Sequence, residues 1–92
     1  MIEEKVTITN SVGLHSRPAS RFLREACKFQ SDITLIKEGR AYNGKSIISI
    51  LAMAAKKGNE IILRCEGEDE KEALEYLTHV IRKKLDLTDK ML

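Results

Sequence analysis

The chain has 92 residues, room for one hydrophobic core of modest size and a single domain over 1–92. Hydrophobic residues make up 42% and charged residues 33%, and 16 basic against 14 acidic side chains leave a net charge of +2, too slight for a protein that grips nucleic-acid phosphates. The longest apolar run, 47–55, is too short to insert in a membrane and nothing reads as a secretory leader, so the expected location is cytoplasmic.

Residues 2–9 alternate apolar Val6 and Ile8 with Lys5, Thr7 and Thr9, the period of a half-buried strand, until Asn10, Ser11 and Gly13 break it. From Arg17 the period changes. Ala19, Phe22, Leu23, Ala26 and Cys27 recur at three and four, and Pro18 suits a first turn, so a helix starts at His15 or Ser16. Asp32–Lys37 returns to alternation with Ile33 and Leu35 on one face; Glu38-Gly39 is a two-residue turn, and Arg40–Asn43 is a short partner strand. A second helix is expected over 47–56, stopped by Gly58, and Glu60–Glu66 is a further strand. Asp69 with Glu72 reads as a capping box for a last helix, whose buried stripe is Ala73, Leu77, Val80, Ile81 and Leu85, with Leu74 and Tyr76 at its edge. The tail beyond Leu85 is expected to fray. The order predicts an α+β open-faced β-sandwich, βαββαβα, with a four-stranded mainly antiparallel sheet and three helices on one face.

Cys27 and Cys65 have no metal-ligand spacing, and both are expected as buried thiols that form no disulfide. No metal or cofactor is called for. Arg17, Arg21 and Arg24 gather in the first helix, and arginines there suit an acidic partner.

The residue with chemical promise is His15. Immediately before a helix, it stands where unpaired backbone N–H groups point outward and favour an anion. Arg17, two residues on, offers a guanidinium to phosphate oxygens. A ring nucleophile, an anion pocket and a counter-charge are what a phosphohistidine needs. His79 has no such neighbourhood. Ser46, just before Ile47, is a helix N-cap by residue type.

The string Gly13-Leu14-His15-Ser16-Arg17-Pro18-Ala19 resembles the active-site signature of HPr, the phosphocarrier family of the bacterial phosphoenolpyruvate:sugar phosphotransferase system. Asn43-Gly44-Lys45-Ser46-Ile47 resembles the regulatory segment of the same family, and the element order agrees over essentially the whole chain. The resemblance implies that His15 accepts a phosphoryl group from enzyme I, that Arg17 stabilises it, and that it passes to sugar-specific enzyme IIA domains. It also implies that an HPr kinase/phosphorylase modifies Ser46 and that the product serves catabolite control protein A. Ile47, Ile48 and Leu51, bordered by Ser20 and Arg24, match the family's docking patch, and a monomer is the default state. The alternative is a regulatory module acting through Ser46, although family regulators of that kind lack the histidine. The chain departs from the common pattern at Ser16, where alanine is usual, at Ile48 and Leu51, where methionines are frequent, and at Ala54, where glycine is usual.

Gly39-Arg40-Ala41-Tyr42-Asn43-Gly44-Lys45-Ser46 also fits a Walker A phosphate loop. That reading is rejected, because the chain offers too few strands for a parallel nucleotide-binding sheet and Arg40–Asn43 reads better as a strand.

Overall fold

Alternating segments become strands whose apolar residues meet across the ladders. The computed structural model describes residues 1–85 and contains β1 (Ile2–Thr7), β2 (Asp32–Lys37), β3 (Arg40–Asn43) and β4 (Glu60–Glu66). They form one sheet in the order β1-β4-β2-β3, with every ladder antiparallel. Val6 lies opposite Ile61, Ile33 opposite Cys65 and Leu35 opposite Leu63, so a single register makes one face apolar. The other face is left open, and there Glu3 opposes Arg64 in an ion pair of 2.8 Å. The β2–β3 turn takes positive φ at both Glu38 and Gly39, which matches the twist of a tight hairpin.

The apolar face is covered by α1 (Ser16–Ala26), α2 (Ile47–Met53) and α3 (Glu70–His79), the last continued by one π-helical turn, Val80–Lys84. Phe22 and Ala26 of α1, Ile50 and Met53 of α2, and Ala73 and Leu77 of α3 join the buried residues of the strands in one core. The fold is thus the βαββαβα open-faced sandwich expected, with antiparallel pairing throughout.

Several local expectations are corrected. The first strand ends at Thr7 because the Lys56–Asn59 turn closes on it: Ile8 exchanges backbone hydrogen bonds with Gly58 and Asn59, at 2.8 and 2.9 Å, and stays buried. The second helix stops at Met53, three residues early, and Ala54 turns left-handed with φ 52°. Gly58, φ 92°, serves the turn into β4 instead of capping the helix. Arg21 is buried, so the outward basic face of α1 is carried by Arg17 and Arg24. Cys27 is exposed, contrary to expectation, because it caps the end of α1 beyond the inward stripe. Cys65 is buried in β4, and burial pushes its thiol up to about 11. The tail beyond Leu85 lies outside the described residues.

The capping box does not form. Asp69 stands at the N-cap of α3 but makes no capping bond; its carboxylate turns to the loop before β2. There it accepts the Gln30 N–H at 2.8 Å, the Ser31 N–H at 2.9 Å and the Ser31 hydroxyl. The Ser31 hydroxyl and then the Gln30 N–H hold the Asp69 carboxyl below its ordinary value, because each stabilises the charged form. A lowered native value means stability that is present above the usual aspartate range and lost as pH falls through the native value. Urea midpoints measured from neutral to strongly acid pH are therefore expected to fall less steeply in Asp69→Asn than in the parent. Parallel profiles would remove Asp69 from the acid response.

Candidate functional site

Three anchors set the backbone before α1. Gly13 donates its N–H to the Asn10 carbonyl at 3.2 Å, and the Asn10 amide returns a bond to the Gly13 carbonyl at 2.6 Å. Gly13 has φ +64° and packs so closely on Ala55 that a Cβ would collide with the Ala55 carbonyl and approach the Lys56 Cα to 2.8 Å. Leu14 is buried and donates its N–H to that same Ala55 carbonyl at 2.9 Å. On the far side, Pro18 and Ala19 are buried in the first turn of α1.

His15, between these anchors, is the N-cap of α1 and is exposed. Its extended backbone starts the helix, with its carbonyl accepting the Ala19 N–H at 2.8 Å, while its ring makes no capping bond. Helix geometry leaves the first-turn N–H groups of Ser16 and Arg17 without intrahelical partners, and Pro18 has none to leave. The result is a small anion-binding corner beside a ring free to react. Arg17 is exposed in the same turn.

A shallow hollow of about 230 Å³ adjoins the ring and is lined by His15, Leu51, Ala54, Ala55 and Lys56. Sequence reasoning did not anticipate the Ala55 and Lys56 wall, because these residues reach His15 through the Leu14–Ala55 hydrogen bond, which joins two distant parts of the sequence. The close approach at Gly13 was the signal available.

Ser46 lies at the N-cap of α2, as its residue type predicts, and its Oγ accepts the Ser49 N–H at 3.3 Å. It does not touch the His15 hollow. The link between the two is α2 itself: Ile48 is 78% exposed and Leu51 41% exposed, and Leu51 borders the hollow. Ile47 is different, being half-buried against the core. Ser20 and Arg24 are exposed along α1, one and two turns beyond His15. Exposed Val12, unremarked in the sequence, adds another apolar side chain to the loop before His15.

The glycine-rich 39–46 stretch builds a hairpin turn, a strand and a helix cap; the Lys45 ammonium is bonded to the Phe29 carbonyl at 2.6 Å. Among the described residues, no three His, Cys, Asp or Glu side chains are grouped to hold a metal ion. None of their helices is long and apolar enough to cross a membrane.

A family model described as the PTS HPr component phosphorylation site matches residues 2–83. The phosphocarrier protein HPr of Buchnera aphidicola is 43% identical over 88% of this chain and 95% of its own length. The HPr-like protein Crh of Bacillus subtilis is 40% identical over 92% of this chain and all of its own. A crystal structure of HPr from Thermoanaerobacter tengcongensis superposes with a TM-score of 0.90 at 39% identity, covering 96% of this chain and 99% of the other.

Proposed function

The chain belongs to the HPr family of the phosphotransferase system, and on that premise we propose that it is a cytoplasmic, monomeric phosphocarrier, not itself an enzyme, which takes a phosphoryl group from enzyme I onto His15 and passes it to a sugar-specific enzyme IIA domain. The observation that carries this reading is the exposed His15 ring, uncapped, beside the free first-turn N–H groups of α1. A ring nitrogen attacks phosphorus, and the new N–P bond forms as the bond to the donor residue of enzyme I breaks. The Ser16 and Arg17 N–H groups and the Arg17 guanidinium receive the phosphoryl oxygens. Transfer to enzyme IIA repeats the exchange in the opposite sense. Ile48 and Leu51, with Ile47, Ser20 and Arg24 around them, form the docking surface that brings each partner to the ring.

The test is intact mass after incubation with phosphoenolpyruvate and enzyme I. One acid-labile phosphoryl group is the expected gain; none, with an enzyme I active on another acceptor, would overturn the reading.

A second role is favoured by the Crh relative and by the position of Ser46. Phosphorylation by an HPr kinase/phosphorylase would put about two negative charges at the start of α2, where the helix end tolerates them. The fold should persist while the surface around Ile47 and Ile48 changes, favouring catabolite control protein A over enzyme I. Ser46→Asp is therefore expected to slow phosphorylation by enzyme I severalfold without lowering the urea midpoint. Equal rates for the two proteins would remove this regulatory role.

A further inference from the structure

Lys37 is the last residue of β2, yet its side chain belongs to the end of α2. Its ammonium donates to the Met53 carbonyl at 3.1 Å and to the Ala54 carbonyl at 3.4 Å. Carbonyls at a helix end have no intrahelical partner, and a lysine there both satisfies them and offsets their partial negative charge. The residue being held is an uncommon one for its conformation: Ala54 sits at φ 52°, where an L side chain crowds its own backbone and glycine does not. Its own N–H bonds Leu51 at 3.1 Å, but nothing in an alanine side chain helps it stay left-handed.

The course of the chain after Ala54 matters to the acceptor. Ala55 is buried, and its carbonyl receives the Leu14 N–H, one residue before His15. Leu51, Ala54, Ala55 and Lys56 then form the wall facing His15. The path from Lys37 to the ring is short and runs through hydrogen bonds and one peptide step: ammonium to Ala54 carbonyl, Ala54 to Ala55, Ala55 carbonyl to Leu14.

We infer that Lys37 is a positioning residue for phosphoryl acceptance, its ammonium pinning the left-handed end of α2 so that the 54–56 wall holds the His15 loop and does not present bare carbonyls to the phosphoryl group. This rests on the carrier reading of His15. Lys37 touches neither the ring nor the phosphate and acts through the wall.

The test compares the full chain with Lys37→Met, which keeps the stem and removes the donors, and Lys37→Arg, which restores them. Amide hydrogen exchange is read at Leu14 and at Leu63 in the sheet, alongside steady-state phosphorylation by enzyme I. In Lys37→Met, Leu14 exchange is expected to speed up about tenfold, the factor that goes with losing a charge-assisted hydrogen bond, while Leu63 stays protected. The maximal rate of phosphorylation should fall by a similar factor with KM for enzyme I unchanged, and Lys37→Arg should recover both. Unchanged Leu14 exchange overturns the inference. So does equal loss of protection at Leu63, or a variant that does not fold, since either makes Lys37 a residue of the whole fold. If the parent protein itself takes no phosphoryl group on His15, the carrier reading falls, and the exchange data alone show whether Lys37 holds the wall.

Discussion

His15→Ala is expected to accept no phosphoryl group from enzyme I, while unfolding at the same urea concentration as the parent. Both halves come from the same geometry. The ring is exposed and makes no capping bond, so its removal leaves no cavity and no orphaned donor. Exposed substitutions of that kind usually change stability by less than about 0.5 kcal/mol. The chemistry, by contrast, has no substitute. His79 is exposed too, but it lies where α3 runs on into the π-helical turn Val80–Lys84, with no unpaired first-turn N–H groups beside it. An anion formed on it would have no helix N-terminus to receive it. Intact mass read under neutral and acid conditions decides the matter. An acid-labile phosphoryl group persisting on His15→Ala would move the acceptor elsewhere and sink the assignment.

How far the sequence could be read depended on the range of the forces involved. β2, β3 and β4 were legible to the residue, because period-two alternation and the Glu38-Gly39 turn are local signals. The start of α1 was legible for the same reason, with Pro18 and the change of period agreeing. Most failures involve partners distant in sequence, whereas Arg21 and Cys27 were misplaced by the phase and the end of α1 itself. Asp69 and Glu72 have the spacing of a capping box, yet the loop at Gln30 and Ser31 offers Asp69 three donors, more than its own helix could. Gly58 looks like the stop of α2, but Lys37 and the Ala55–Leu14 bond end that helix sooner. Arg21 reads as one of three surface arginines; its helical phase puts it inside with Phe22. At the site, His15, Arg17 and Ser46 stood out through contiguous motifs. The wall that faces His15 did not, because residues 51–56 carry no motif of their own and meet the His15 segment only through contacts distant in sequence.

Gly13 is where that long-range wall is most sensitive, and Gly13→Ala is expected to be the most damaging small substitution in the chain. Two costs combine. At φ +64° an alanine pays roughly 1–2 kcal/mol that glycine does not. Its Cβ would also run into the Ala55 carbonyl, a backbone atom that cannot swing aside as a side chain tip can. Relieving that collision means moving the two segments apart and weakening the 2.9 Å Leu14–Ala55 hydrogen bond, a further loss of about 1 kcal/mol or more. Gly58→Ala separates the two costs, since Gly58 has φ +92° but open space around its missing Cβ. It should lose only the conformational part, about 1 kcal/mol, against roughly 3 kcal/mol for Gly13→Ala. In a chain of this size the larger loss lowers the melting temperature by roughly 10 °C or more. Because the displaced segment carries His15, Gly13→Ala should also slow phosphorylation by enzyme I at temperatures where the variant is still folded, whereas Gly58→Ala should not. Urea midpoints and phosphorylation rates for the two variants, side by side, separate strain from contact. Equal losses would mean that φ alone sets the requirement for glycine, and that the packing of residue 13 on Ala55 contributes nothing to holding the acceptor in place.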